Sequence, residues 1–407
     1  MGGRSRLVLG YILGGAIASC GGGSNAPPLA PLPPELGTGP ADCTGGSADG
    51  YACSNIGLAK HLTLLALGAS SGNDVWGWTD PADGTEYILM GLNDGTAFVR
   101  ISDPENPQIM GLLPTQTNAA PWRDIKVYRN HAFVVADGAG SHGMQVFDLT
   151  RLRTGGNGQA FAADAIYGDF GSAHNIAINE TTGFAYVVGS STCSGGLHMV
   201  DIRDPINPLF AGCHSVAGYT HDTQCVSYAG PDADHAGSEI CFNSNEDSVV
   251  IVDVTNKSSP NTLATVTYPN FGFVHQAWLD DSQRYLIVGD EFDESNFGLK
   301  TGTIVIDVTD LDAPSYLYTH RHATNSTDHN SYIVGNRIFE ANYTSGLRVL
   351  EFTSLATDTL TEVAFFDTYP LNDNVGTVGA WSAYPFFPSG IVAVSDIDRG
   401  LFILRPN

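Results

Sequence analysis

Residues Val249 to Thr255 read VVIVDVT, a run of β-branched residues that closes on an aspartate, a valine and a threonine. Apolar runs of this kind, bounded by turn residues, are typical of buried strands. A repeat of about 40 to 50 residues with several strands per unit is the sequence signature of a β-propeller. Seven copies therefore predict an all-β, seven-bladed propeller as one large repeat domain. The six further copies are FVRISD at 98–103, MQVFDLT at 144–150, LHMVDIRD at 197–204, IVIDVTD at 304–310, LRVLEFT at 347–353 and LFILRP at 401–406.

One complete unit predicts the strands of a blade. Residues 219–268 contain four stretches rich in β-branched or aromatic residues, separated by Gly, Pro, Asn and Asp. Four antiparallel strands per unit form a propeller blade. Asp-Pro and Asn-Pro steps, as at Asp103-Pro104, belong in the turn after the third strand because proline cannot donate to a ladder. The predicted strands are 221–228, 239–243, 248–254 and 262–267.

The innermost strand of each blade lines the central channel of a propeller. Aligning the units gives seven equivalent positions at the start of that strand. We expect these residues to face a ligand near the channel. They are Asp74, Asp124, Asn175, Asp222, Gln276, Asn330 and Trp381.

The last unit lacks a fourth strand, because the sequence ends soon after its third strand at 401–404. The segment 61–68 (HLTLLALG) resembles the fourth strand of other units, such as 108–114. We predict that this N-terminal strand completes the last blade and closes the ring. Closure would hide a sheet edge that is otherwise exposed.

The first 19 residues resemble a secretory signal, with Arg4 and Arg6 before an apolar run at 7–13 that is too short to span a bilayer. The following IASC, ending at Cys20, resembles a bacterial lipobox, whose cysteine carries the lipid and starts the mature chain. We predict a lipid anchor on Cys20. The alternative is ordinary cleavage beside a chance cysteine. Gly21 favours outer-membrane or cell-surface display in a bacterium.

Composition divides the chain into four parts. A flexible tether rich in Gly and Pro is expected after the signal, since it has no apolar period. The predicted parts are a signal peptide at 1–19, the tether at 20–42, a disulfide-bearing lead-in at 43–60 and the propeller at 61–407.

The chain is strongly acidic, with 43 Asp and Glu against 18 Lys and Arg and a net charge of −25. Loss of the signal peptide would remove two arginines and make the charge more negative still. Such a surface repels nucleic acid and anionic lipid. We therefore exclude a nucleic-acid partner and expect membrane contact through the lipid alone.

Six cysteines remain besides Cys20, and an even number in an exported chain predicts three disulfides. Cys225 and Cys241 should face each other across a hairpin, since the loop 229–238 lies midway between them. Cys43 and Cys53 share a short Gly-rich loop. Elimination leaves Cys193 with Cys213. A metal site built on the cysteines is disfavoured, because no CxxC or Cys/His cluster at ligand spacing occurs.

The residue before each innermost strand is a histidine in four consecutive units. Converging imidazoles at a channel mouth could bind a divalent transition metal. The alternative is structural: each histidine could hydrogen-bond, within its own blade, to a polar residue in the turn after the second strand. The histidines are His174, His221, His275 and His329, and the candidate acceptors are Asp137, Asp290, Asn342 and Asp396.

One loop concentrates four carboxylates, which are oxygen ligands suited to Ca²⁺: Asp290, Glu291, Asp293 and Glu294. The loop lacks EF-hand spacing, so a merely solvated loop is the alternative. No GxSxG, HExxH or phosphate-binding GxxxxGK[ST] motif occurs in the sequence. Trp76, Trp78 and Trp381 could form a stacking platform for a sugar or peptide, or could pack between blades.

The segments NDVWGW at 73–78 and EYILMG at 86–91, together with the VVIVD copies, resemble the choice-of-anchor B proteins, which are built from LVIVD repeats. The resemblance covers roughly residues 55 to 407. It implies an exported propeller held at a surface by one of several anchors. It implies no reaction and no catalytic residues.

Together these patterns favour an exported, lipid-anchored propeller that acts as a binding or scaffold module for a surface protein, peptide or glycan. One alternative is a metal-dependent hydrolase or lyase with a histidine-lined site at the channel mouth. Another is a structural envelope protein. No sequence motif decides whether the chain is an enzyme.

Overall fold

The computed structural model describes residues 36–156 and 158–406. The predicted signal peptide, Cys20 and the predicted tether up to residue 35 lie outside the described residues. Seven antiparallel sheets, each with at least four strands, form the blades of a β-propeller. This confirms the predicted fold class.

The chain enters through a hairpin and a longer strand. These elements are β1 (Ser47–Ala48), β2 (Tyr51–Ser54), β3 (Ile56–Thr63) and the short helix α1 (Leu64–Leu67). Blade 1 contains β4 (Gly72–Thr79), β5 (Glu86–Leu92), β6 (Gly95–Arg100) and β7 (Gln108–Pro114). Blade 2 contains β8 (Trp122–Tyr128), β9 (His131–Asp137), β10 (Met144–Asp148) and β12 (Ala165–Tyr167). Between β10 and β12 the chain forms a 3-10 helix (Leu149–Arg153) and β11 (Gln159–Ala160), which joins the sheet of blade 1. Strand β11 pairs in parallel with β7, and β12 is the outer strand of blade 2.

Blades 3 to 5 follow the same plan. Blade 3 contains β13 (Asn175–Asn179), β14 (Phe184–Val188), a 3-10 turn (Cys193–Gly195), β15 (Leu197–Asp201) and β16 (Leu209–His214). Blade 4 contains β17 (Asp222–Ser227), a 3-10 turn (Ala233–His235), β18 (Glu239–Ser244), β19 (Val249–Asp253) and β20 (Asn261–Val266). Blade 5 contains β21 (Val274–Leu279), β22 (Tyr285–Asp290), the short helix α2 (Asp293–Phe297), β23 (Gly302–Asp307) and β24 (Ser315–Arg321). The four strands predicted for residues 219–268 match blade 4 to within two residues.

Blades 6 and 7 complete the ring. Blade 6 contains β25 (Asn330–Val334), β26 (Arg337–Ala341), β27 (Leu347–Glu351) and β28 (Thr361–Phe366). Blade 7 contains β29 (Ala380–Tyr384), β30 (Val392–Asp396) and β31 (Gly400–Pro406), with β3 as its outer strand. Among the described residues, no helix has the length and apolar character needed to cross a membrane.

The apolar runs are buried on both faces because each blade packs between two others. In β19, Val249 and Ile251 join a core shared with blade 5. Val250 and Val252 join a core shared with blade 3. A strand covered on both sides reads as a continuous apolar run instead of an alternating one. This explains why VVIVD, rather than an alternating pattern, marks each blade.

The aspartate that ends the repeat has a local role. Its side chain accepts a hydrogen bond from the backbone N–H two residues later, forming a turn that stops the strand. Four copies make this bond: Asp148 to Thr150, Asp201 to Arg203, Asp253 to Thr255 and Asp307 to Thr309, at 2.8 to 3.0 Å.

An N-terminal strand closes the ring, as predicted, but its bounds differ from the prediction. Strand β3 spans residues 56–63 and pairs antiparallel with β31, with Leu58 opposite Leu404. The predicted strand at 61–68 instead contains α1, whose N-terminus is capped by the Thr63 hydroxyl. An apolar run such as LTLLAL fits either a strand or a helix, so its pattern could not set the boundary.

The predicted lead-in also belongs to the sheets. Strand β2 pairs with β28 and extends blade 6, with Cys53 opposite Phe366. Residue Ala41, at the end of the predicted tether, forms a bridge with Leu58. The N-terminal segment therefore contacts the outer strands of both blade 6 and blade 7.

All three disulfides have the predicted partners: Cys43–Cys53, Cys193–Cys213 and Cys225–Cys241. Cys225 and Cys241 stand directly opposite each other on β17 and β18. Disulfides persist in oxidising compartments. They indicate an extracellular or periplasmic protein.

Candidate functional site

The central channel contains a cavity of about 760 Å³. A volume of this size falls in the range of small-molecule sites. The seven innermost strands contribute its lining. All seven residues predicted at the start of these strands line it: Asp74, Asp124, Asn175, Asp222, Gln276, Asn330 and Trp381.

Several of these residues also connect adjacent blades. Asp124 accepts a hydrogen bond from the Ile176 backbone N–H at 2.7 Å, and Gln276 accepts one from the Ser331 N–H at 2.7 Å. The equivalent positions therefore recur partly because each ties its blade to the next one.

Asn175 and Asn330 donate their amide N–H to backbone carbonyls of the following blade, at 3.0 and 3.1 Å. Within the described residues, the amide oxygens of Asn175 and Asn330 and the amide N–H groups of Gln276 make no side-chain hydrogen bond, so they can contact a ligand. The ring of polar residues thus offers both donors and acceptors to the cavity.

An ion-pair cluster forms part of the cavity floor. The Lys126 ammonium lies 2.5 Å from Asp124 and 3.5 Å from Asp74. Burial opposes the charge of Lys126, but the two carboxylates outweigh it and raise the pKa of Lys126. Burial raises the pKa of Asp74 well above its usual range. Burial also disfavours the charge of Asp124, yet Lys126 and hydrogen bonds keep the pKa of Asp124 below its usual value.

Asp222 is the third carboxyl group on this floor. Burial and the nearby Asp124 raise the pKa of Asp222 to about 7. The floor therefore carries only a small negative charge at neutral pH, because Lys126 compensates Asp124 and Asp222 is only partly ionised.

Aromatic side chains form one wall of the cavity. Phe386, from the loop after β29, lies 5.3 to 6.2 Å from the rings of four others. Trp76 also lies beneath the Lys126 ammonium at 4.5 Å. The wall consists of Trp76, Trp278, Tyr332, Tyr384 and Phe386.

The tryptophans considered from the sequence have different places. Trp76 is partly exposed in the wall, and Trp381 lines the cavity while packing against His329. Trp78 also borders the cavity, but it is only 4% exposed and stacks on Tyr87.

Trp278 and Tyr332 were missed by the sequence reasoning, although each stands two residues after a predicted ligand-facing position. Side chains alternate along a strand, so a spacing of two puts both on the same face. That spacing was a usable signal. Phe386 comes from a loop, and no periodicity points to it.

The four predicted histidines form a contiguous arc next to the cavity. Successive ring centroids are 4.3, 4.3 and 4.1 Å apart in the order His174, His221, His275 and His329. None of the four lines the cavity. Burial lowers the pKa of His221 and His275, and lowers the pKa of His329 to about 3. These three imidazoles are neutral at pH 7.

Hydrogen bonds orient three rings of the arc. The Nδ1 atoms of His174, His221 and His329 lie 3.1, 3.1 and 2.6 Å from a carboxylate or carbonyl oxygen. Since these oxygens only accept, the neutral imidazoles of His221 and His329 carry their proton on Nδ1 and present a lone pair on Nε2.

Among the described residues, none of the four histidines hydrogen-bonds to the predicted acceptor of its own blade. His174 meets the predicted acceptor Asp137, which belongs to the preceding blade. Asp290 instead accepts from Tyr268 and from three backbone N–H groups. Asn342 donates to Glu340, and Asp396 accepts from two backbone N–H groups of its own turn.

The predicted calcium loop is divided among different surroundings. Asp290 binds backbone groups, as above. Glu291 accepts from the Tyr343 hydroxyl at 2.6 Å and has a potential ligand atom within 4.8 Å of those of His275 and His329. Asp293 and Glu294 begin α2, where they are joined by Asp328.

The solvated-loop alternative is wrong, because Asp290, Asp293 and Glu294 are each at most 1% exposed. The chain turns inward through α2 and buries these carboxyl groups against the turn before β25.

Comparisons with known proteins agree with the fold. The sequence model of the LVIVD repeat matches residues 170–215 and 243–267, so the chain contains LVIVD repeats. The comparison with curated proteins finds no match.

Solved structures resemble most of the chain. A protein from Lactobacillus plantarum is 14% identical with a TM-score of 0.55, over 77% of this chain and 89% of that chain. A chain of the COPII outer coat vertex on membranes is 10% identical with a TM-score of 0.57, over 83% and 84%. The β-propeller domain of Myceliophteria thermophila Cps50 (Swd1) is 12% identical with a TM-score of 0.50, over 79% and 93%. At these identities the likeness shows the fold alone.

Proposed function

We propose that this chain is an exported propeller that binds a glycan in its channel cavity and is held at a bacterial surface by a lipid on Cys20. The observation that carries the binding role is the pairing of an aromatic wall with a floor of hydrogen-bonding groups in one cavity. Binding sites for small molecules commonly combine apolar walls with a few placed polar groups.

The charge of the floor favours an uncharged ligand. Lys126 is already paired with Asp124 and Asp74, and the Asp222 carboxyl has a pKa of about 7. A cationic group of a ligand would therefore find the carboxylates of Asp124 and Asp74 already paired with Lys126. A polyanion would be repelled by the net charge of −25.

A sugar ring suits the remaining features. Its apolar face can lie on the exposed surfaces of Trp76 and Trp278, as expected for aromatic contacts of this kind. Its hydroxyls can donate to the amide oxygens of Asn175 and Asn330 and accept from Gln276. A protein or peptide ligand would have to insert an uncharged side chain to use the same contacts.

An array of bacterial and host glycans, run in parallel with a peptide array, tests this proposal. We expect selective glycan binding by the purified protein. Trp76→Ala should lose that binding, whereas Trp122→Ala should keep it, because Trp122 is 40% exposed but does not line the cavity. Binding to peptides alone, or glycan binding that survives Trp76→Ala, would contradict the proposal.

The second candidate function is a metal-dependent activity. Its site would lie on the side of the ring of polar strand-start residues that faces away from the cavity. It is favoured by His275, Glu291 and His329, whose potential ligand atoms all lie within 4.8 Å of one another. Two histidines and a carboxylate are a common set for catalytic zinc. Elemental analysis should find about one zinc per chain, lost in His329→Ala and kept in His320→Ala, whose imidazole is partly buried beside Asp358 and lies outside this group. A wild-type protein that takes up no zinc from a zinc buffer would exclude this activity.

A further inference from the structure

Three carboxylates meet inside the protein at the seam between blades 5 and 6. Asp293 and Glu294 lie in α2, and Asp328 lies in the turn before β25. They are 1%, 1% and 4% exposed. One ligand oxygen from each lies within 4.8 Å of those from the other two.

Their hydrogen bonds leave four oxygens without partners. Asp293 binds Arg321 through Oδ2 at 2.9 Å, and Asp328 accepts the Asp290 N–H through Oδ2 at 2.7 Å. Within the described ranges, Asp293 Oδ1, Asp328 Oδ1 and both oxygens of Glu294 are buried and have no hydrogen-bond partner. Buried polar atoms are nearly always satisfied, so four orphaned oxygens in one place point to a bound partner.

The charges lead to the same conclusion. Arg321 is the one cation paired with this cluster in the described residues. Of the three carboxylates, only Asp293 contacts it. Buried carboxylates within a few ångströms of each other repel strongly and also lose hydration. A bound cation would remove both costs at once.

We propose that Asp293, Glu294 and Asp328 bind a calcium ion that fastens α2 to the start of blade 6. All the donors are hard oxygen atoms, which suit Ca²⁺ and not the metals that prefer nitrogen or sulfur. Glu294 has both oxygens free and can bind in the bidentate way common in calcium sites. Mg²⁺ dehydrates reluctantly and keeps several waters, so a buried site favours Ca²⁺.

The site is separate from the glycan cavity, whose lining includes none of the three residues. It adjoins the histidine arc through Asp328, which precedes His329 in sequence. Calcium would therefore hold in place the loop that carries Glu291. This loop lies on the side of the ring of polar strand-start residues that faces away from the cavity.

The test is a calcium titration of the EGTA-dialysed protein, followed by calorimetry and thermal unfolding. We expect about one Ca²⁺ per chain and a rise in Tm of a few degrees at a Ca²⁺ concentration about 100 times the Kd. Glu294→Gln and Asp328→Asn keep the shape of the side chain but remove a charge. Each should weaken Ca²⁺ binding at least tenfold.

The same variants separate calcium binding from a merely buried acid cluster. Without calcium, each variant should unfold at a higher temperature than the wild type, because one repelling charge is gone. With calcium, this order should reverse. Asp358→Asn, which changes an exposed aspartate, should behave like the wild type. The proposal is overturned if the wild type binds no Ca²⁺ at millimolar concentration, or if both variants bind it as tightly as the wild type.

Discussion

Replacing Lys126 by methionine should destabilise the protein strongly and in a pH-dependent way. The side chains of Lys126, Asp124 and Asp74 are 14%, 5% and 7% exposed, so the variant leaves two poorly hydrated carboxyl groups without their cation. Removing one partner of a buried pair costs about 3 to 5 kcal/mol. We expect a loss of this size in the free energy of unfolding at pH 7.5, measured by urea denaturation.

The pH dependence follows from the direction of the pKa shifts. In the wild type, Lys126 is the main group that lowers the pKa of Asp124 against the effect of burial. The Asp124 carboxylate therefore stabilises the fold at pH values above the pKa that it has in the unfolded chain. In the variant, only the remaining hydrogen bonds oppose burial, so the pKa of Asp124 rises and the folded protein takes up a proton as the pH falls. The difference between wild type and variant should therefore shrink between pH 7.5 and pH 5.

Two further variants make the result interpretable. Adding Asp124→Asn to Lys126→Met should restore part of the lost stability, since it removes one uncompensated charge. Arg337→Met breaks an exposed pair with Glu351 and should cost less than about 1 kcal/mol. A Lys126→Met variant that loses no more than this control, or a loss that does not change with pH, would refute the reasoning.

Three other predictions concern the closure of the ring, a buried acid and the anchor. Phe402→Ala should lower the free energy of unfolding by about 3 to 5 kcal/mol, because Phe402 is fully buried against His61 and Tyr51 where the ring closes. The control Phe297→Ala changes a half-exposed ring and should cost far less. Equal losses in the two variants would contradict the stabilising role of the ring closure. Burial raises the pKa of Asp396 from 3.8 to about 7. Between these two pH values the folded state holds one proton more than the unfolded state, so the free energy of unfolding should fall by about 4 kcal/mol as the pH rises from 4 to 7. Asp396→Asn should remove that part of the slope in urea denaturation at pH 4 and 8, and an unchanged slope would show that Asp396 does not titrate as proposed. Cys20→Ser should move the protein from the membrane to the soluble fraction, and unchanged fractionation would disprove the lipid anchor.

The repeat predicted the fold because its physical cause is local and periodic. VVIVD is buried on both faces between blades, and the aspartate of four copies closes a turn with a backbone N–H two residues later. The same register placed seven residues on the cavity and four histidines in one arc. Cys225 and Cys241 could be paired because hairpin geometry depends only on loop position.

Other features depend on contacts between distant segments, which spacing does not show. Asp328 joins Asp293 and Glu294 across two blades, over more than 30 positions of sequence. Phe386 reaches the cavity from a loop. The bounds of β3 depend on pairing with β31 at the other end of the chain, so the apolar pattern at 61–68 could not separate strand from helix.

The most direct test of the proposed function is the affinity of one glycan for the cavity. Isothermal titration with the best glycan from the array would compare the wild type with Trp278→Ala and Trp122→Ala. We predict a single site and an affinity at least about tenfold weaker for Trp278→Ala, equivalent to about 1.4 kcal/mol of lost contact, with Trp122→Ala unchanged. Equal affinity for the wild type and Trp278→Ala would show that the glycan does not bind in the channel cavity.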